Sequence, residues 1–202
     1  MQKYKEVIEV YKDNPVGWIE KFISFDGLNS NGLTWEQKET ANNLVLHRFL
    51  SVTDDRGKGK TAIAAMLILW FLSTHYMSKV PATAPNYNLL HDVLFREIAK
   101  WLERCAFKDM FKLSRGKLEV VNHKDWFCIA RTVNSGVNLN DNVLLGFFAD
   151  NIMIVVDEAE NVPAQIFPHI CSGMSKEDNY VLLMASDVSR HEHEVTYSAR
   201  AI

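Results

Sequence analysis

The chain has 202 residues, of which 48% are hydrophobic, 11% aromatic and 23% charged. This length and composition are typical of one globular domain, and they exclude disordered, collagen-like and disulfide-stapled classes of protein. Because 22 basic and 25 acidic residues give a formal net charge of -3, no general attraction to nucleic acid or anionic lipid is expected, and a DNA-contacting surface would have to be a local patch.

Cysteine usage and hydropathy indicate where the protein works. Cys105, Cys128 and Cys171 are widely spaced and form no C-x-x-C pair, which is typical of free thiols in a reducing compartment. The longest apolar stretch, residues 62–72, is shorter than the roughly 20 residues that a membrane-spanning helix needs, and the N-terminus lacks the apolar core of a secretory signal. We therefore expect a cytoplasmic protein with no membrane partner.

The sequence predicts two units, an N-terminal segment and a larger domain. Residues 1–33 contain a helical pattern followed by loops rich in Gly, Asn and Ser, and we expect this segment to be a lid or a docking segment. Thr34 and Gln37 stand in capping-box spacing, which predicts a helix from about Thr34. A short strand is expected at 48–53. The domain proper is then residues 34–202.

Strands and helices alternate along the rest of the chain. The patterns predict a buried helix over 62–77, a strand over 80–84, an amphipathic helix over 86–104, a hairpin of 118–121 and 126–130, a strand over 152–156, a helix after Pro163 and a strand over 180–185. Several of the strands are wholly apolar, which indicates a mainly parallel sheet with helices on both faces. The predicted fold class is α/β.

A glycine-rich loop lies between the first strand and the buried helix. Residues 54–61 read D-D-R-G-K-G-K-T, which places a lysine and a hydroxyl at a helix N-terminus, where backbone N–H groups bind phosphate and the hydroxyl binds magnesium. The candidate binding residues are Gly57, Lys58, Gly59, Lys60 and Thr61. The full pattern is G-x-x-x-x-G-K-[ST], and Asp54 occupies its first glycine position, so the match is incomplete.

The two carboxylates of this loop leave its interpretation open. Asp54 cannot adopt a positive φ as cheaply as glycine, and with Asp55 it places negative charge near a polyphosphate. Arg56, Lys58 and Lys60 offset that charge. The alternative is that G-K-T stands at the start of this helix by chance, but the strand before it and the buried helix after it favour a nucleotide site.

Two adjacent carboxylates follow another predicted strand. Asp157 and Glu158 come directly after the apolar residues 152–156, and ligands of parallel α/β sheets bind at the carboxyl ends of strands. Asp157 can then approach a magnesium ion held by Thr61, while Glu158 polarises an attacking water. The alternative is that the two carboxylates only cap the next helix.

The last predicted strand also ends on polar residues. Ser186 and Asp187 follow residues 180–185, and a polar side chain at the tip of a neighbouring strand can sense the γ-phosphate. The alternative, an ordinary strand end with turn-forming Ser and Asp, is equally open.

Taken together, these residues resemble the ATPase domain of the large terminase subunit of tailed bacteriophages, a P-loop NTPase of RecA/ASCE-like fold. The resemblance runs from about Trp35 to Arg190. It includes V-P-A-T-A-P at 80–85, similar to the family's V-x-x-T-A-P, and G-F-F-A-D-N at 146–151, similar to its G-F-H-A-x-N. Phe148 stands where the family usually has His, and Asp187 where it usually has Asn.

The resemblance implies a role for each candidate residue. Gln37 would read adenine, Lys60 and Thr61 would be the Walker A pair, Asp157 the Mg2+-side carboxylate, Glu158 the catalytic carboxylate, Arg56 a basic residue acting on the γ-phosphate, and Ser186 and Asp187 the coupling position. For Gln37 the alternative is the third helical position of a Thr34 capping box.

The resemblance also implies cofactors and partners. ATP and Mg2+ would bind the chain, and hydrolysis would move double-stranded DNA into a prohead. The portal protein and the small terminase subunit would be partners, in a homo-oligomeric ring on the portal in the host cytoplasm. The family's C-terminal nuclease domain is expected to be absent, because the sequence stops at Ile202.

Two other functions remain open at this stage. A superfamily 2 helicase domain also pairs G-K-T with D-E-A, although only 44 residues follow Glu158 (202 minus 158). A catalytically decayed P-loop module that acts only in assembly is the other alternative, favoured by Asp54 and Asp55. A basic cluster comprises Lys108, Lys112, Arg115 and Lys117, and it is open to two interpretations, a solvated face or a contact with DNA phosphate.

Overall fold

A computed structural model of the chain describes residues 2–28, 31–53, 57–132, 149–172 and 179–185. The helices are α1 (Gln2–Tyr11), α2 (Pro15–Phe22), α3 (Trp35–His47), α4 (Lys60–Thr74), α5 (Phe95–Glu103) and α6 (Phe167–Ser172). The strands are β1 (Phe49–Thr53), β2 (Lys79–Thr83), β3 (Phe111–Ser114), β4 (Lys117–Val120), β5 (His123–Ala130), β6 (Ile152–Val156) and β7 (Asn179–Ala185).

The strands form one sheet in the order β1-β7-β6-β2-β5-β4-β3. The first five strands in this order, from β1 to β5, pair in parallel. The strand β4 pairs antiparallel with β5, and β3 pairs antiparallel with β4. The predicted α/β class with a mainly parallel sheet is therefore confirmed. The strand β7 lies between β1 and β6, so the glycine loop after β1 and the carboxylates after β6 lie two strands apart at the same edge of the sheet.

Apolar side chains cover the central strands on both faces. Alternate residues of β6 and β7 enter two different clusters, so that Val155 lies in one core and Val156 in the other. The larger core lies against α4, whose residues from Ile63 to Leu72 are all at most 2% exposed. The smaller core joins β6 and β7 to α6. The prediction of helices on both faces is confirmed.

The N-terminal segment packs into the larger core. Trp18 and Ile19 of α2 are fully buried, and the indole N–H of Trp70 in α4 donates a hydrogen bond of 2.8 Å to the carbonyl of Tyr11. Arg104, which follows α5, donates to the backbone carbonyl of Asp26 at 3.0 Å. Residues of the segment 1–33 therefore share the core with the rest of the chain.

The secondary structure differs from the prediction in three places. The buried helix predicted over 62–77 ends at Thr74. The predicted helix over 86–104 begins with a π-helical turn, Leu89–Leu94, before α5. The strand β3 has no counterpart in the prediction; its four residues pair with β4 to extend the predicted hairpin into a three-stranded edge. Among the described residues, the helices are too short or too polar to cross a membrane.

Candidate nucleotide site

The glycine loop ends in the left-handed backbone that its sequence allows. Gly57 and Gly59 have φ of 88° and 81°, values that favour glycine because it has no Cβ. Gly59 is the N-cap of α4, and within the described residues this helix has no side-chain N-cap hydrogen bond. The caps of α2 and α3 do have one, from Asn14 and Thr34. N–H groups at the start of a helix attract anions, so the N-terminus of α4 is of the kind that binds phosphate.

Gln37 performs two tasks with one side-chain amide. Its Oε1 accepts from the backbone N–H of Thr34 at 3.1 Å, and the backbone N–H of Gln37 donates to the Thr34 hydroxyl at 3.3 Å, which completes the predicted capping box. Its Nε2 donates to the carbonyl of Gly59 at 3.3 Å. A Cβ built on Gly59 would lie 2.7 Å from this Nε2. The side chain of Gln37 therefore packs directly against the glycine loop.

The two sequence motifs meet through a hydrogen bond. The hydroxyl of Thr61, in the first turn of α4, donates to Oδ2 of Asp157 at 3.2 Å. Asp157 directly follows β6, and its backbone N–H donates to the carbonyl of Thr83 at the end of β2, at 2.9 Å. A hydroxyl and a carboxylate side by side are the oxygen ligands that Mg2+ prefers. The donor set and the uncapped helix N-terminus fit a magnesium-bound phosphate.

Burial controls the protonation of this carboxylate. Asp157 is 5% exposed, and removal of its carboxylate from water raises its pKa. The Thr61 hydroxyl, the backbone N–H of Glu158 and the positive charge of Lys60 lower the pKa, while the negative charge of Glu160 raises it further. A cation beside Asp157 would stabilise its charged form, which burial alone disfavours.

Glu158 has an unusual backbone. Its φ and ψ are 52° and 47°, the left-handed region that a non-glycine residue adopts at a cost of about 1–3 kcal/mol. Its side chain is half-buried, next to the buried Asp157. Strained backbone of this kind clusters at functional sites, and here it lies at the N-cap of the 3-10 turn Ala159–Asn161 that follows β6.

Two groups of this site were not singled out from the sequence. Glu160 is 7% exposed and acts on the pKa of Asp157. Thr83 is fully buried, and its hydroxyl has no hydrogen-bond partner among the described residues. The spacing D-E-x-E after an apolar strand marks Glu160 as a candidate, and Thr83 belongs to the V-x-x-T-A-P segment.

Some predicted residues lie outside the described residues, namely Asp54, Asp55 and Arg56 of the loop, Phe148, and Ser186 and Asp187 after β7. Lys58 is described and exposed. No group of three or more His, Cys, Asp or Glu in the described ranges is arranged to hold a metal ion.

Comparison with known proteins gives one family match. The model of the helicase domain of the RNA cytidine acetyltransferase NAT10/TcmA matches residues 51–188. That range begins in β1 and extends past β7, so it contains both the glycine loop and the carboxylates after β6. The match covers more than half of the chain.

Two proteins that are similar to this chain are phage large terminases. The probable terminase large subunit of enterobacteria phage P7 is 23% identical over 190 residues, which cover 91% of this chain and 37% of that protein. The crystal structure of the HK97 bacteriophage large terminase is similar with a TM-score of 0.68 and 13% identity, covering 93% of this chain and 40% of that one.

A further solved structure agrees with this fold. The large terminase of the thermophilic bacteriophage D6E, in complex with ADP, is similar with a TM-score of 0.55 and 11% identity, over 76% of this chain and 39% of that one. The chain therefore spans about two fifths of the length of the terminases that it matches. The predicted P-loop fold of the terminase ATPase domain is confirmed, and the chain belongs to the family that the NAT10/TcmA helicase-domain model describes, with phage large terminases among its similar proteins.

Proposed function

We propose that this chain is the ATP-hydrolysing domain of a phage DNA-packaging motor. The observation that carries the proposal is the hydrogen bond from Thr61 to Asp157, 3.2 Å long between residues 96 positions apart. It joins the glycine loop to the carboxylates after β6, as a Walker A and Walker B pair requires. The similarity to terminases that include a protein bound to ADP also supports it.

The chain's own residues would divide the work at a bound Mg-ATP. The uncapped N–H groups at the start of α4 and the Lys60 ammonium would bind the phosphates. The oxygens of Thr61 and Asp157 would hold the magnesium ion, which when bound neutralises charge on the phosphates. Glu158 would orient the attacking water and accept its proton.

The remaining predicted residues would act around this centre. Gln37 would contact the adenine in addition to the loop, and Arg56 would act on the γ-phosphate. Ser186 and Asp187 come after β7 in the sequence, outside the described residues, and would transmit the state of the nucleotide.

The motor role extends to partners that the domain would meet. Double-stranded DNA would be the substrate that is moved, and the portal protein and the small terminase subunit would be bound in a ring of copies of the chain. The lid or docking role of residues 1–33 belongs to the same proposal. Because Trp18 is fully buried in the larger core, docking would use the exposed parts of α1 and α2.

Binding of Mg-ATP by calorimetry tests the site. We expect micromolar binding by the chain and its loss in Lys60→Ala, while Glu158→Gln keeps binding and loses hydrolysis. The paired substitution of Asp54 and Asp55 by glycine tests the loop. Binding that appears only in this double variant would show that the loop has decayed and would contradict the proposal.

A helicase-type ATPase is the second candidate, and the family match to a helicase domain favours it. Both candidates use the same nucleotide chemistry, so hydrolysis does not separate them. A triplex-displacement assay detects translocation along intact duplex DNA, and a forked substrate detects strand separation. Displacement without strand separation supports a packaging motor, whereas strand separation supports the helicase.

A further inference from the structure

The end of β2 carries a buried hydroxyl without a hydrogen bond. Thr83 is fully buried, and its Oγ1 has no hydrogen-bond partner in the part of the chain that the structure describes. A hydroxyl that is buried without a partner destabilises the folded chain. Valine has nearly the same shape and avoids this penalty, so packing alone gives no reason for a threonine at this position.

The same core satisfies its other buried Ser and Thr hydroxyls. Ser73 and Thr74 each donate to a carbonyl one turn earlier in α4, at 2.7 Å, and Ser78 accepts from an indole N–H at 3.0 Å. These three residues are as fully buried as Thr83. Among the fully buried Ser and Thr residues that the structure describes, Thr83 is therefore the one whose hydroxyl is unpaired.

The strand register places Thr83 on the same face of the sheet as the turn that follows β6. Ala82 and its partner Val155 belong to the larger core. Thr83 and its partner Val156 therefore face the other side, where Val156 belongs to the smaller core. Ala159, in the 3-10 turn after β6, belongs to the smaller core as well. The turn thus folds onto the face that carries Thr83.

A backbone hydrogen bond keeps Glu158 close to Thr83. The carbonyl of Thr83 accepts the N–H of Asp157 at 2.9 Å, and Glu158 directly follows Asp157. The backbone of Glu158 is held in the left-handed region, and its side chain is half-buried. A carboxylate is a strong acceptor for a hydroxyl. Glu160, the second carboxylate of this turn, lies three residues beyond Asp157 and acts on it through its charge.

We propose that Thr83 is a positioning residue, whose hydroxyl donates a hydrogen bond to the carboxylate of Glu158 when Mg-ATP is bound. This role rests on the proposed function, in which Glu158 orients the attacking water. The bond would hold the carboxylate against that water, and catalytic hydrogen bonds tighten towards the transition state. It would also explain why a hydroxyl that destabilises the fold is present, because proteins break such local rules mostly at functional sites.

Two variants of the full chain separate the hydroxyl of Thr83 from the shape of its side chain. Thr83→Val removes the hydroxyl and keeps the branched shape, whereas Thr83→Ser keeps the hydroxyl and removes a methyl group. Thr74→Val is the matched control, because Thr74 is equally buried and its hydroxyl donates to a backbone carbonyl. Thermal unfolding without nucleotide and steady-state hydrolysis of Mg-ATP are measured for the parent and the three variants.

We expect Thr83→Val to unfold at the parental Tm or above it, because it removes an unpaired hydroxyl. Its kcat should fall about tenfold, while its KM for ATP changes by less than about threefold. Thr83→Ser should unfold at a lower Tm, because the lost methyl leaves a cavity, and should keep kcat within about twofold of the parent. Thr74→Val should lose stability and keep the parental kcat.

A merely structural role would make activity follow stability, so a stable but slow Thr83→Val and a less stable but active Thr83→Ser support positioning. Three results would overturn it: a Tm of Thr83→Val below that of the parent, a parental kcat in Thr83→Val, or equal losses of kcat in Thr83→Val and Thr83→Ser. Each of these leaves the proposed function intact, since the parent still hydrolyses ATP. A parent that does not hydrolyse ATP overturns the proposed function itself and the role of Thr83 with it.

Discussion

The hydroxyl of Thr61 donates a hydrogen bond to the carboxylate of Asp157 across 96 positions of sequence. A bond of this kind has no local cause, because neither residue shares an element with the other. It depends on the strand order, in which β7 separates the strand before the glycine loop from the strand before Asp157. The hydrogen bond therefore forms only with this strand order, and it joins the two residues to which magnesium binding is assigned in the proposed function.

Thr61→Val keeps the shape of the side chain and removes its hydroxyl. We expect ATP hydrolysis to fall about 100-fold, because a magnesium ligand contributes several kcal/mol to transition-state stabilisation. Ser73→Ala is the matched control, since its hydroxyl donates to the carbonyl of Leu69 in the same helix. Steady-state hydrolysis of both variants checks this, and parental turnover by Thr61→Val would exclude a metal role for the hydroxyl.

Much of this site was predictable from sequence because its parts are local. The G-K-T triplet before an apolar helix and the D-E pair after an apolar strand each lie within a few residues. The bond between Gln37 and Gly59 was not predictable, since it depends on how α3 packs against the loop. The short strand β3 was not predicted either, because four residues of mixed polarity show no clear hydrophobic periodicity. Their conformation depends on pairing with β4.

Asp157→Asn should stabilise the chain while abolishing hydrolysis. Burial raises the pKa of Asp157 above its unfolded value, so the folded chain binds more protons between the two values and its free energy of unfolding falls as pH rises through that window. Asparagine does not titrate, so the advantage of the variant should be small below about pH 4 and should grow as pH rises through that window.

Urea unfolding at a series of pH values measures this advantage, and each kcal/mol should also raise Tm by about 2–4 °C. Asp109→Asn, at an exposed position, controls for the loss of one negative charge from the chain. Saturating Mg-ATP should stabilise the parent and reduce the difference. An advantage that shrinks with rising pH would contradict the assigned cause.

Gln37→Glu separates the two tasks of that side chain. A glutamate still accepts the N–H of Thr34, as capping boxes allow, but it has no N–H to donate to the carbonyl of Gly59. We expect the free energy of unfolding to change by less than about 0.5 kcal/mol and the KM for ATP to rise. Thr34→Ala is the complement and should cost about 1 kcal/mol through the lost cap. An unchanged KM in Gln37→Glu would restrict Gln37 to the capping box.

Trp18 tests whether the N-terminal segment belongs to the cooperative core. Its side chain is fully buried, its ring is tilted against Phe22 and stacked with Phe107, and truncation to alanine should cost about 3–5 kcal/mol. Trp35→Ala is the matched control, because that indole is 71% exposed and its loss should change stability by less than about 0.5 kcal/mol. Hydrogen exchange of the amides in α4 provides the decisive measurement. If residues 1–33 share the core, Trp18→Ala reduces protection throughout α4, whereas an independently attached lid would leave that protection unchanged.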